Sequence, residues 1–269
     1  MILFPYAKIN IGLDVIEKRT DGYHSICSVF YPVLLRDTLE IVPAGNLIFN
    51  SSGLPIPGNK DQNLVIKAWE LLRDKFKIGP VKIFLDKRIP MGAGLGGGSS
   101  DAAFALKIMN QIFDLQLNID NLMELAAELG SDCPFFLMDA PALATGRGTD
   151  LKEIPLYLSK YWLYVISPKI HISTSEAYGE LTPEVPEKNL QDLIVMPLEE
   201  WKNNIKNDFE KGVFRKYPEL NEIKNNLYKR GALYASLTGT GSSVYGIFAE
   251  RPEMIKSDFP QFVLPLKLP

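Results

Sequence analysis

This chain of 269 residues has only two cysteines, two histidines and a formal net charge of −3. Each scarcity removes a class of function. Cys27 and Cys133 lie far apart in sequence and make neither a disulfide framework nor a zinc site, so buried thiols in a reducing compartment are expected. No tract of Lys and Arg exists, and the slight negative balance gives no general attraction to nucleic acid. No run of about eighteen apolar residues is present, so no membrane-spanning helix is expected. Met1 to Tyr6 begins apolar but has no basic n-region and no cleavage site, and Lys8 interrupts it. A soluble cytoplasmic protein is the expectation. There are no internal repeats, and no Gly-Lys-Ser/Thr closes any glycine loop, which excludes a Walker A motif.

What the chain does have is enough apolar sequence, 46%, for a substantial core in one large or two small domains. It also has Pro90-Met91-Gly92-Ala93-Gly94-Leu95-Gly96-Gly97-Gly98-Ser99-Ser100-Asp101, with five glycines in seven residues. Glycine lets a ligand approach the backbone closely. Strand-like Val81, Ile83 and Leu85 precede this stretch, and the apolar helix-forming run from Ala102 to Met109 follows it. Free N–H groups and the positive end of a helix dipole then converge on one point, where the natural guest is a phosphate. A flexible linker is the alternative, but linkers are polar on both sides. The Rossmann spacing can be forced onto Gly92, Gly94 and Gly97, although Asp114, near the required acidic position, follows a helix rather than a second strand.

Residues 2–16 read as strand, with Ile9, Ile11, Leu13 and Val15 on one face. Thr20 to His24 is a turn. Val29–Leu35, Thr38–Val42, Val81–Leu85, Tyr161–Ile166, Ala232–Leu237 and Val244–Ala249 are further expected strands. Helices are expected over Leu64–Phe76, Ala102–Phe113, Ile119–Leu129, Ser175–Leu181, Glu199–Lys211 and Pro218–Lys229. Pro141 to Thr149 reads as small and polar, and Val185 to Pro197 as a polar crossing. Strands and helices mix without strict alternation, which predicts an α+β fold with a boundary near 150–160.

Four polar groups stand out. Lys8 and Asn10 sit in an apolar strand, where Lys8 is either buried with a partner or an edge lysine facing water. Asp132 leads into Pro134-Phe135-Phe136 and reads as a turn residue or as an acceptor for a hydroxyl proton. Tyr23 and His24 either contact a planar ring and its edge or lie in solvent, while His171 reads as structural. Thr238-Gly239-Thr240-Gly241-Ser242 is either a tight turn or a second source of N–H groups for phosphate.

Together these segments resemble the GHMP kinase superfamily of small-molecule kinases. The carrying motifs are Ala7-Lys8-Ile9-Asn10-Ile11, Asp21-Gly22-Tyr23-His24, Gly94-Leu95-Gly96-Gly97-Gly98-Ser99-Ser100-Asp101, and Leu129-Gly130-Ser131-Asp132 with Pro134-Phe135-Phe136. The resemblance implies two α+β domains, a ribosomal-protein-S5-like one over residues 1–155 and a ferredoxin-like one over 156–269. It implies ATP and Mg²⁺ as cofactors and phosphorylation of the 2-hydroxyl of a CDP-methylerythritol for isoprenoid-precursor synthesis, with no nucleic-acid or membrane partner. By the same resemblance Lys8 and Asp132 are the catalytic pair, and Pro90 through Ser100 wrap the ATP phosphates. Asn63 lies near adenine, and Asn10, Tyr23, His24, Thr174 and Tyr178 contact the substrate. Another kinase of the superfamily, or a nucleotide-binding sensor that has lost catalysis, are the competing readings.

Overall fold

The computed structural model describes residues 1–253 and 262–269. In chain order the elements are β1 (Ile2–Leu3), β2 (Tyr6–Lys18), β3 (His24–Arg36), β4 (Thr38–Pro43), β5 (Ile48–Gly53), α1 (Leu64–Phe76), β6 (Val81–Lys87), α2 (Gly97–Ile112), α3 (Ile119–Leu129), β7 (Ala142–Thr145), β8 (Asp150–Glu153) and β9 (Trp162–Ser167). They continue as α4 (Thr174–Gly179), α5 (Leu190–Leu193), α6 (Leu198–Asn204), α7 (Phe209–Lys216), α8 (Pro218–Lys229), β10 (Tyr234–Leu237), β11 (Val244–Phe248) and β12 (Phe262–Lys267). The class is α+β, as expected. The chain divides into two compact units. One comprises Met1–Ala7, Leu35–Met91 and Gly96–Asp139; the other comprises Lys8–Leu34, Gly92–Leu95 and Ala140–Pro269.

The first unit is a four-stranded sheet in the order β1-β4-β6-β5 with α1, α2 and α3. Strand β6 alternates buried Val81, Ile83 and Leu85 with exposed Lys82 and Phe84, the period-two pattern of a sheet with one covered face. Leu39 and Ile41 of β4 stand opposite Leu85 and Ile83. Helix α1 buries Val65, Ile66, Ala68, Trp69 and Leu72, and it packs on α2. Fully burying a side chain such as Val65, Ile66 or Leu72 is worth about 1.5–3 kcal/mol.

The second unit holds two four-stranded sheets, β2-β3-β7-β8 and β10-β11-β9-β12. Helix α8 covers β10 and β11 through Leu220, Ile223 and Leu227, which join Tyr164, Ile166, Ala235, Leu237 and Val244 in one core.

The fold departs from the sequence expectations in several places: the expected polar crossing from Val185 to Pro197 holds α5, and β5 and β12 were not expected. In β2, Lys8 through Leu13 are buried along with Val15, so the strand is covered on both faces. The expected helix over Glu199–Lys211 is broken at 205–208. There Leu13 N–H donates to the Lys206 carbonyl and Asp208 N–H donates to the Leu13 carbonyl, both at 2.9 Å, so the chain pairs with β2 between α6 and α7. The stretch from Pro141 to Thr149 is mostly a hairpin arm: β7 pairs with β3 and β8, and Ile26 N–H donates to the Gly146 carbonyl at the turn. Helix α2 starts at Gly97 rather than Ala102. Among the described residues no helix is long and apolar enough to cross a membrane.

Candidate active site

The glycine-rich segment links β6 to α2. Gly96 has φ 70° and is the N-cap of α2, where it carries no capping side chain. The first N–H groups of the helix therefore have no side-chain cap, as an anion site requires. Gly94, with φ 79°, lies so close to the Thr238 carbonyl that a Cβ there would overlap it. Thr238 Oγ1 donates to the Gly94 carbonyl at 3.0 Å, and Ser243 N–H donates to the Ala93 carbonyl at 3.2 Å. The second glycine turn thus braces the first. His171, read from sequence as structural, flanks Gly92.

Lys8 is 3% exposed, so it is no edge lysine facing water. Its Nζ donates to Asn10 Oδ1 at 2.6 Å and lies 4.7 Å from the centre of the Phe30 ring. Its N–H donates to the Leu95 carbonyl at 2.9 Å, which fixes β2 beside the glycine segment. Asn10 is committed in every direction. Its Nδ2 donates to Ser28 Oγ at 2.9 Å, its N–H donates to Thr238 Oγ1 at 3.1 Å, and its carbonyl accepts from Tyr245 at 2.7 Å. The expected substrate contact is therefore also the residue that holds Lys8. Sequence reasoning gave Ser28 and Tyr245 no role; nothing in their local sequence marks them.

In the first unit Asp132 stands half-buried in the turn between α3 and the 3₁₀ turn Pro134–Leu137. The neighbouring Cys133 is fully buried; burial pushes its thiol up to about 12, opposed by a hydrogen bond with Ser99 and aided by the charge of Asp132. Ser100 Oγ is fully buried with no hydrogen-bond partner among the described residues. Asn63, expected near adenine, is the N-cap of α1, its Oδ1 accepting from Val65 N–H at 2.9 Å. Met91 lies against Gly98. Lys8 belongs to the second unit and Asp132 to the first.

His24 and Tyr178 stack, with ring centres 4.4 Å apart and planes 22° from parallel. Tyr178 also meets Phe209 edge-on at 4.8 Å. A planar base would enter between His24 and Tyr178 only if the rings part. Burial, then the charge of Lys18, lowers the His24 pKa, so the imidazole is held toward its neutral form. Tyr23 is exposed, and the Arg147 guanidinium lies 3.5 Å from its ring centre. Arg147, which the sequence reading passed over, is set between two glycines at the β7–β8 turn. Thr174, exposed, opens α4 behind its N-cap Ser173.

Comparison with known proteins gives this geometry a context. The family model "GHMP kinases N terminal domain" matches residues 63–146, and "GHMP kinases C terminal" matches 189–262. The chain is 47% identical over 256 residues, 95% of this chain and 94% of the relative, to 4-diphosphocytidyl-2-C-methyl-D-erythritol kinase of Parabacteroides distasonis. A crystal structure of 4-(cytidine 5'-diphospho)-2C-methyl-D-erythritol kinase superposes with a TM-score of 0.79 at 32% identity, covering 91% of this chain and 89% of that one. The mevalonate kinase of Methanococcus jannaschii shares the fold, with a TM-score of 0.71 at 17% identity, covering 99% of this chain and 98% of that one. This chain belongs to the 4-diphosphocytidyl-2-C-methyl-D-erythritol kinases of the GHMP kinase family.

Proposed function

We propose that the protein transfers the γ-phosphoryl group of ATP to the 2-hydroxyl of 4-diphosphocytidyl-2-C-methyl-D-erythritol. The observation that carries this reading is the buried Lys8, held by Asn10 and tied through its backbone to the glycine segment. A buried cation beside a phosphate-binding backbone suits a reaction whose charge moves among phosphoryl oxygens. Residues 1–155 and 156–269 are the two domains of this reading.

Asp132 orients the 2-hydroxyl and accepts its proton. The hydroxyl oxygen forms a bond to the γ-phosphorus as the bond to the ADP oxygen breaks. Lys8 stabilises the charge that develops. Pro90 through Ser100 hold the phosphates with backbone N–H groups and hydroxyls. Tyr23, His24 and Tyr178 receive the cytosine, with Asn10 and Thr174 on the same substrate, so that distant contacts align a distant hydroxyl. Arg147, stacked on Tyr23, adds a cation on this side.

Among the described residues no group of three or more His, Cys, Asp or Glu side chains forms a cage for a metal. That composition fits an ion delivered with ATP, since Mg²⁺ is held by substrate phosphates and only one or two protein oxygens. One or two oxygens among Ser99, Ser100 and Asp132 would hold it, and the Ser100 hydroxyl, with no hydrogen-bond partner among the described residues, is a donor of that kind. When bound, the ion would neutralise part of the charge on the phosphates.

Phosphorus NMR of the product tests the reading. A new phosphomonoester on the methylerythritol C2 oxygen, formed with one ADP, is the expected result. Phosphate appearing at another position, or only as inorganic phosphate, contradicts it.

A further inference from the structure

Beneath the glycine segment lies a charge cluster that the activity leaves unexplained. Lys87, the last residue of β6, is 1% exposed, and Asp37 and Asp101 are 0% and 2% exposed. Lys87 Nζ donates to Asp37 Oδ2 and, at 2.7 Å, to Asp101 Oδ2. Asp37 Oδ1 accepts from Arg88 N–H at 2.5 Å and from Ile89 N–H at 2.8 Å. Gly97 rests on the same ammonium: a Cβ there would lie 2.8 Å from Ile89 Cγ2 and 3.3 Å from Lys87 Nζ.

The three residues therefore grip both ends of segment 88–96. Asp37 holds its first two N–H groups, and Lys87 reaches across to the first turns of α2 through Asp101. The arrangement is costly. Three charges are taken out of water, and two carboxylates share one ammonium. Asp101 Oδ1 has no hydrogen-bond partner among the described residues. Packing alone would be met more cheaply by apolar side chains. A segment this rich in glycine has many conformations to lose. A ligand gripped by its N–H groups gains affinity when those groups are already in place.

We propose that Lys87, together with Asp37 and Asp101, is a positioning residue for the nucleotide phosphates, fixing both ends of segment 88–96 so that its N–H groups and those of α2 are preset. The proposal rests on the reading of that segment as the ATP phosphate site.

The test uses the full-length enzyme and three variants: Asp101→Ala, Asp101→Asn, and Lys87→Met combined with Asp101→Leu. MgATP affinity is measured by calorimetry, alongside the KM of each substrate. Asp101→Ala removes the tie and raises the MgATP Kd and KM about tenfold or more, while the KM of the second substrate stays within about twofold. Asp101→Asn keeps an oxygen that can accept from Lys87, and it retains near-normal nucleotide affinity. The double variant removes the ammonium and one carboxylate while Asp37 keeps the Arg88 and Ile89 N–H groups, so it carries the test if Asp101→Ala does not fold; it too binds MgATP about tenfold more weakly. Unchanged nucleotide affinity in the folded variants, with only a lower melting temperature, assigns the cluster to packing and overturns the proposal. So does an Asp101→Asn variant as impaired as Asp101→Ala. A wild-type protein that does not bind MgATP overturns the phosphate-site reading itself, and the proposal with it.

Discussion

Lys8 Nζ donates to Asn10 Oδ1 at 2.6 Å, two residues along one strand. Residues i and i+2 share a face of a strand, so the pairing is local and built into the Lys-Ile-Asn order. An amide oxygen is a neutral acceptor: it aims the ammonium without cancelling its charge. Replacing Asn10 by Asp puts a carboxylate on that ammonium. If the charge of Lys8 works on the transferring phosphoryl group, Asn10→Asp lowers kcat about 10²-fold, as loss of one charge-stabilising group does. Circular dichroism and melting temperature check that the fold survives. A near-normal kcat contradicts the role given to Lys8.

Asp132 supplies a second prediction. Asp132→Asn keeps the size of the side chain and removes its basicity. The expected outcome is a kcat lower by about 10²–10⁴, the range for a positioned base, with MgATP affinity little altered. Stopped-assay rates and nucleotide titration separate the two. Equal losses in kcat and ATP affinity would make the residue part of the nucleotide site instead.

The base pocket is tested through Tyr178, which His24 covers on one face and Phe209 meets at its edge. Base-on-aromatic stacking is worth about 1–3 kcal/mol. Tyr178→Ala therefore raises the KM for the cytidylated substrate about tenfold and leaves the KM for ATP nearly unchanged. Tyr178→Phe stays close to wild type, because the ring and not the hydroxyl is used. Parallel rises in both KM values contradict the assignment.

How much of this was readable from sequence depends on the distance over which each feature is built. The glycine segment was legible because its conformation is local: Gly92, Gly94 and Gly96 all take positive φ. The pairing of Lys8 with Asn10 lies within one strand, so both residues stood out. The cluster of Lys87, Asp37 and Asp101 did not, since it joins residues 50 and 14 positions apart and each looks like an ordinary surface charge. The break in the Glu199–Lys211 helix was hidden for the same reason. Its cause is strand β2, nearly two hundred residues earlier, with Asn207 Nδ2 donating to the Leu237 and Gly239 carbonyls. The role of Thr238 as a brace for Gly94 also exists only in the folded chain.

Stability should carry a pH signature from Asp14. The residue is 6% exposed and close to Asp208, and burial followed by that repulsion raises its pKa to about 6, against a smaller pull from Lys206. A carboxyl whose folded pKa exceeds its unfolded value of 3.8 binds protons better in the folded state. It costs no stability below pH 4, costs progressively more between pH 4 and 6, and the full amount above. A pKa rise of that size corresponds to roughly 2–3 kcal/mol. Asp14→Asn should therefore melt higher than wild type at pH 7 and lose that advantage near pH 4. Thermal unfolding across that range checks it; a constant or inverted difference contradicts it.

The central claim is most directly tested by ADP release from purified protein with MgATP and one acceptor at a time: 4-diphosphocytidyl-2-C-methyl-D-erythritol, homoserine or mevalonate. The account predicts release with the cytidylated acceptor alone, slowed about 10²–10⁴-fold by Asp132→Asn. Release with homoserine or mevalonate, or with none of the three, would contradict it.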